Sequence, residues 1–369
     1  MKFKLLYLMH VPWSWIKQRP HFIAEELSKD YIVSILAEKD KNREVCSKSS
    51  YKINFLRYIS IQKINNNRIV DFTNYWLRKI VYLWHAKFND IIWITYPGQW
   101  GYIKGSIKKK HLIIYDCMDD MESFYSDSAT RHVMRNLEKS ICERADLIFV
   151  SALSLKDLLE EKYLIINKIT VINNAIKNIE STSSNQFLAK QFNNLTIESI
   201  SYFTIIYVGT VSSWFDFDAV LYFLNNDSQC RIIIFGPTDV AIPKHSRLIY
   251  GGILPHSHVF GALVQADMLI MPFLLTPTVM SVNPVKAYEY ISSAKPIALI
   301  RYPETEYFND YVNLYNTKEE LFTIIQNVKN NGNFIIKNKE ECKAFASLNT
   351  WGERCKNIKT ILDRSLLIK

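Results

Sequence analysis

Glycine and proline are scarce, at 10 and 11 copies in 369 residues, which excludes collagen-like, elastic and low-complexity disordered classes. No apolar run approaches the roughly 18 residues that cross a bilayer as a helix, and the apolar part of MKFKLLYLMHVPW is too short for a signal peptide. A soluble or at most membrane-attached chain is therefore expected. The six cysteines (Cys46, Cys117, Cys142, Cys230, Cys342, Cys355) form no CxxC pair, so free thiols in the reducing cytoplasm are expected, with neither a disulfide framework nor a zinc site. Acidic residues are in deficit, 36 against 45 Lys+Arg, and the resulting +9 suits anionic partners such as phosphorylated ligands or acidic membrane surfaces. Nucleic acid is a third candidate, but no known nucleic-acid module supports it.

What is present is a chain with 48% apolar and 22% charged residues, long enough for two domains with real cores. Short β-branched or aromatic runs (KLLYL near Leu5, YIVSIL from Tyr31, IIWIT from Ile91, HLIIY from His111, LIFVS from Leu147, ITVI from Ile169) alternate with helical stretches. The helices carry apolar residues at three- and four-residue spacing, as in Phe22, Ile23, Leu27 and in Val133, Leu137, Ile141. Continuous apolar strands separated by helices predict a parallel sheet covered on both faces. A Ser/Asn/Thr-rich stretch follows, and a second series then begins with FTIIYVG from Phe203, RIIIFG, RLIYGG, DMLIMPF and PIALI. The fold class expected is thus α/β: a doubly wound domain over residues 1–180, a linker over 181–200 and a second such domain over 201–345. Ligands of such sheets lie outside the carboxyl ends of the strands, and two facing domains would share one cleft.

The most informative stretch is PTVMSVNPVKAYEYISSAKPIAL, Pro277 to Leu299. Asn283 followed by Pro284 predicts a helix start with Asn283 as N-cap. Lys286 then falls in the first turn, where its charge opposes the helix dipole unless an anion joins it, and free backbone N–H groups there are themselves an anion site. Glu289, one turn on, can accept two hydroxyl hydrogen bonds from a ribose; phosphates and ribose together mean a nucleotide. The competing reading is an i,i+3 ion pair on a solvated face. Gly209 ends an apolar strand and permits close backbone approach, with Thr210 following. Asp216-Phe217-Asp218 spells D-x-D, read as a helix cap rather than a metal site. His256 and His258 are read as a loop before a helix at Val259–Val264. Asp116, Asp119 and Asp120 follow the strand HLIIY at its carboxyl end, where a carboxylate can orient or deprotonate a hydroxyl; turn and cap chemistry is the alternative. His10, Trp13, Trp15, Arg19 and His21 occupy the loop and helix start after the first strand, as contacts for a sugar or anionic acceptor or as aromatic core packing. Lys104 and Lys108, Lys109 and Lys110 form a basic cluster suited to anionic lipid or to solvated surface.

The stretch NPVKAYEYISSAKPIAL resembles the nucleotide-sugar-binding segment of GT-B glycosyltransferases, in particular the family-4-like group that includes teichuronic-acid-type transferases, with the pattern P-x-K-x-x-E-Y-x-A-x-G-K-P. WSWIKQRPHFIAEELS, YDCMDD, ERADLIFVSA, VINNAI, YVGTVSSWFDFD, ADMLIMPF and TWGERCKNIKTIL support it along nearly the whole chain. The resemblance implies two facing Rossmann-like domains, with residues 346–369 returning as a helix to the first. It implies a retaining, metal-independent hexosyltransferase with no bound cofactor, which moves a sugar from a nucleotide diphosphate sugar to a saccharide or lipid-linked saccharide during cell-surface polysaccharide assembly. Its place would be the cytoplasm or the inner face of the plasma membrane. Donor binding falls to Gly209, Thr210, Ser281, Asn283, Pro284, Val285, Lys286 and Glu289, acceptor binding to His10, Trp13, Trp15, Arg19 and His21, and catalysis to Asp116, Asp119 and Lys286. Two departures from the pattern stand out: Ser281 occupies the first carboxylate of the E-x7-E pair, and Thr210–Trp214 carries no Arg or Lys. A nucleotide-sugar epimerase and a non-catalytic sugar-nucleotide-binding subunit are the alternatives.

Overall fold

The computed structural model describes residues 2–14, 17–37, 53–56, 68–177, 202–331 and 337–368. The chain divides into two compact units, Met1–Lys177 with Trp351–Lys369, and Asn178–Thr350. The linker expected at 181–200 falls outside the described residues.

In the first unit, β1 (Lys4–Met9), β2 (Ile32–Ala37), β3 (Asn54–Phe55), β4 (Ile91–Ile94), β5 (Leu112–Cys117), β6 (Leu147–Val150) and β7 (Ile169–Val171) form a sheet in the order β3-β2-β1-β4-β5-β6-β7. Every pairing is parallel. The central strands are buried on both faces because helices cover each side, which is why they read as unbroken apolar runs. One face packs Leu6, Ile92, Ile113 and Ile148 against the helices Arg68–Lys87, Pro97–Ile103 and Ser128–Arg144; the other packs Tyr7, Trp93 and Phe149 in a stacked series. Of the residues expected on the inner stripe of Ser128–Arg144, Ile141 is buried and Leu137 packs on the core, but Val133 faces solvent.

The last helix, Trp351–Ile368, completes this unit. Trp351 stacks on Phe22 at 5.4 Å between ring centres, Cys355, Ile358 and Leu362 enter the core, and Tyr31 donates to Asp363 at 2.8 Å.

The second unit repeats the architecture with β8 (Phe203–Val208), β9 (Cys230–Phe235), β10 (Leu248–Gly252), β11 (Met268–Met271), β12 (Ile297–Ile300) and β13 (Asn313–Tyr315), all parallel, in the order β10-β9-β8-β11-β12-β13. In each sheet the direction of winding reverses beside the first strand, between β1 and β4 and between β8 and β11. The crevice outside the carboxyl ends of such a pair is where doubly wound sheets hold ligands.

One detail differs from the sequence expectation and one agrees with it. The helix placed at Val259 begins at His256, directly after Pro255, because the proline's fixed φ and extended ψ set the cap. Asp216 caps the helix Phe217–Asn226, accepting from the backbone N–H of Ala219 at 2.9 Å, while Asp218 pairs with Lys318.

Candidate functional site

In the second unit the site is built where β8 and β11 part. Their pairing covers only Met268↔Ile205 and Leu269↔Ile206, so the last residue of β8 is left with free backbone groups on that side. The Tyr290 hydroxyl takes them, accepting from the Val208 N–H at 2.9 Å and lying 3.4 Å from the Val208 carbonyl. Tyr290 belongs to the helix Val285–Ser292, and a helical side chain leans toward the amino end of its own helix. The buried phenol therefore docks that helix beside Gly209. Burial holds the Tyr290 hydroxyl well above its ordinary pKa, so it stays protonated and able to serve both groups.

Gly209 and Gly236 end adjacent strands and touch through their backbones. A Cβ on Gly236 would stand 1.9 Å from the Gly209 carbonyl oxygen, and its φ of +138° is one that L-residues rarely adopt. A Cβ on Gly209 would meet the Tyr207 hydroxyl at 2.5 Å, and that hydroxyl is fixed by donating to the Thr210 carbonyl. The sequence singles out Gly209 but not Gly236, Tyr207 or Tyr290. The F-G ending β9 carries the same signal as the V-G ending β8 and was readable by the same logic.

The helix start itself is displaced by one residue from the expectation. Pro284, with φ −78° and ψ 107°, is the N-cap, and Val285 is the first helical residue. Asn283 does not cap. Fully buried, its amide donates toward Glu304 at 3.4 Å and accepts from the Tyr288 hydroxyl at 3.2 Å. Ser281 closes the short helix Pro277–Met280 and donates to the Thr278 carbonyl at 2.9 Å. Both side chains expected to help with phosphate are thus committed inside the fold, because burial demands that their polar groups be paired locally. Lys286 and Glu289 stand partly exposed in the first two turns and face each other, Nζ to Oε2 2.8 Å. The pair read from sequence as the bland alternative is formed. An ion pair this exposed is worth only a few tenths of a kcal/mol to about 1 kcal/mol, so an anion and a hydroxyl partner can replace it at little cost. Thr210 lies exposed past the end of β8.

The helix ends on Ala294, at φ +51°, where the resembled pattern has glycine. A left-handed alanine carries a backbone cost that glycine does not. Ala294→Gly is accordingly expected to raise unfolding free energy by about 0.5–1 kcal/mol. Urea titration of the two proteins measures it.

In the first unit the carboxyl ends of β1, β4 and β5 bring together His10, Thr95, Tyr96 and Asp119. The Thr95 hydroxyl has one proton and gives it to the Leu8 carbonyl at 2.9 Å; it therefore accepts from the His10 backbone N–H at 3.2 Å and from His10 Nδ1 at 2.8 Å. His10 is then the Nδ1–H tautomer, with a lone pair on Nε2. Burial, and after it His21, lowers its pKa to about 4, so the ring is neutral at physiological pH. Asp119 goes the other way: burial raises its carboxyl to about 6, with Arg19 lowering and Asp120 raising it. A carboxyl poised there changes hands with a proton near neutrality. Tyr96 adds a hydroxyl 2.5 Å from that of Tyr125.

Three of the acceptor and catalytic assignments are corrected. Arg19 is buried and bound to Asp116 through Nε at 3.1 Å and Nη2 at 2.8 Å, with Nη1 on the Ile172 carbonyl. Asp116 is wholly buried and also accepts from Trp93 Nε1 at 3.3 Å. With these partners neither side chain reaches a ligand; the pair locks the first helix to the ends of β5 and β7. His21 is likewise enclosed. Its Nδ1 accepts from the Gln18 N–H at 3.1 Å and its Nε2 donates to the Pro12 carbonyl at 3.2 Å, and burial lowers its pKa to about 4. Trp13 packs on His21 and Phe55 at ring distances of 5.1 and 5.0 Å, and Trp15 lies outside the described residues. Among the described residues no cluster of His, Cys, Asp and Glu could hold a metal ion.

No protein-family model and no curated protein sequence matches the chain. Solved structures do. A sucrose-phosphate synthase from Thermosynechococcus elongatus superposes with a TM-score of 0.73 over 99% of this chain and all of that one, at 12% identity. HepE of Anabaena, solved with UDP-glucose, gives 0.69 over 98% and 100%, at 13% identity. The fold is GT-B. A Listeria monocytogenes protein whose assigned activity is UDP-N-acetylglucosamine 2-epimerase shares it at 0.53, over 100% and 98%, with 11% identity.

Proposed function

We propose that this chain is a glycosyltransferase that takes a sugar from a nucleoside diphosphate sugar held by the second unit. One observation carries the reading: a helix whose amino end bears Lys286 and Glu289 is docked by Tyr290 beside the glycine-lined end of β8, at the reversal point of the sheet. The free N–H groups of the first turn and the Lys286 ammonium meet the diphosphate, and Glu289 accepts from the ribose hydroxyls. As the bond from the sugar to the diphosphate breaks, negative charge grows on the departing phosphate oxygens, and these fixed positive groups stabilise it. HepE in complex with UDP-glucose and the segment resembling family-4-like transferases both support a nucleotide sugar as donor.

The acceptor falls to the first unit and is a saccharide, carried on lipid, in cell-surface polysaccharide assembly; His10, through Nε2, and Asp119 are the groups assigned to its hydroxyls. Retention of configuration and independence from metal follow from the resemblance. In a retaining front-face displacement the acceptor proton passes to the departing phosphate oxygen, with Asp119 able to relay it.

The test is a panel of nucleotide sugars screened for thermal stabilisation, followed by product analysis with the one that binds. A true donor present at a hundredfold excess over its dissociation constant stabilises by about 2.7 kcal/mol. Transfer is expected to rise with pH through a limb near pH 6, where Asp119 loses its proton, and Asp119→Asn is expected to flatten that limb. The Listeria likeness makes isomerisation the second reading. Conversion of the donor to an epimer with no acceptor present would establish it in place of transfer.

A further inference from the structure

The helix Arg68–Lys87 packs one side into the core through Tyr82 and Ala86 and leaves the other to solvent. Along the exposed side run Ile69 (74% exposed), Phe72 (65%), Trp76 (44%), Ile80 (59%) and Trp84 (62%), continued by Phe88 (50%) just past its end. From Phe72 onward the spacing is four residues each time, which on a helix makes one continuous stripe. Large apolar side chains in a contiguous exposed run mark an interaction surface.

We infer that this helix docks the protein on a bilayer containing anionic phospholipid. Charge selects that occupant. The helix holds Arg68, Arg78, Lys79 and Lys87 against a single acidic residue, Asp71. The Lys79 ammonium lies 4.7 Å from the Trp76 ring centre and 5.8 Å from that of Tyr75, and Lys87 lies 5.8 Å from that of Phe88. Each lysine stem thus follows an aromatic ring and keeps its charge at the edge of the stripe, the arrangement that puts rings at the level of lipid headgroups and ammonium groups on phosphates. Tyr102, of the helix Pro97–Ile103, packs on Tyr75 and Tyr82 at 5.3 and 5.0 Å. The chain leaving that helix carries Lys104 and then Lys108, Lys109 and Lys110, all exposed. A second copy of the chain seated on the stripe would bring like charges together around the contact, whereas an anionic surface neutralises them.

The helix reaches β4 through a three-residue turn, Phe88–Asp90, and so runs antiparallel to it. Its amino end therefore lies toward the carboxyl end of the sheet, the side of His10 and Tyr96. Docking through the stripe lays the helix along the membrane, which suits an acceptor carried on lipid. The docking deepens the proposed function in naming where the acceptor comes from, and it is measured without donor or acceptor.

The experiment is flotation of the full chain with vesicles of phosphatidylcholine alone and of phosphatidylcholine with 30% phosphatidylglycerol. Binding is expected to the anionic vesicles and to be lost at high salt. Lys79→Gln with Lys87→Gln is expected to weaken it about fivefold per lysine, and Phe72→Ser with Trp84→Ser by more than about tenfold. These positions are on the surface, so melting temperatures stay near that of the parent chain. No binding to anionic vesicles, equal binding to neutral ones, or variants that bind like the parent would overturn the inference. So would a lipid-free dimer that Phe72→Ser with Trp84→Ser converts to a monomer, since the stripe would then serve a second copy. A nucleotide-sugar panel that fails while vesicle binding and its loss in the variants hold would reject the transferase reading and leave the docking standing.

Discussion

Lys286→Ala is expected to lower turnover about a hundredfold to a thousandfold, because it removes a fixed positive group from the oxygen on which charge grows as the sugar departs. Its side chain is partly exposed and its partner is Glu289, so stability should change by less than about 1 kcal/mol. Glu289→Ala is the matched case: with the ribose acceptor gone, the dissociation constant for the nucleotide should rise about tenfold to a hundredfold, the worth of hydrogen bonds to a charged group. The two variants separate the roles, one acting mainly on the rate and the other mainly on binding. Steady-state kinetics with titration calorimetry measures both. If both variants keep the parent's constants, Lys286 and Glu289 are no more than a surface ion pair.

The second large effect lies in the other unit and concerns stability. Asp116→Asn or Arg19→Met should each cost about 3–5 kcal/mol of unfolding free energy, since each leaves its partner charge buried with its main counter-charge gone. Replacing both at once, Arg19→Met with Asp116→Leu, should cost clearly less than the two losses added, because no lone charge is then stranded. Denaturant titration of the three variants gives the cycle. Single variants within about 1 kcal/mol of the parent would show that the pair does not hold the helix to the sheet, and would return Asp116 and Arg19 to the ligand-facing candidates.

That pair also marks the limit of what could be read from residue order. The strands of both units were legible because strands buried on both faces must be apolar throughout, and the alternation with helices leaves little choice but a parallel sheet. The segment from Pro284 to Lys295 was legible because proline at a helix start, a lysine in the first turn and a glutamate one turn later are local facts. Arg19 and Asp116 lie 97 positions apart, and nothing local says that each is spent on the other. The same holds for His21, which looks like a ligand-facing imidazole until its two nitrogens are seen to serve Gln18 and Pro12. Asn283 fails for a related reason: the preference of asparagine for helix caps is real, but a buried position with Tyr288 and Glu304 within reach outweighs it. A tyrosine inside a helix, as Tyr290 is, reads in sequence as core. Only the parting of β8 from β11 shows why its hydroxyl is needed.

Transfer as proposed requires that the amino end of the helix Val285–Ser292 receive the diphosphate. Crystals soaked with UDP or GDP test it most directly. Phosphate oxygens are expected on the backbone N–H groups of Val285 and Lys286, with the Lys286 ammonium turned from Glu289 toward them and Glu289 on the ribose. A nucleotide bound elsewhere in the second unit, with Lys286 still paired to Glu289, would contradict it.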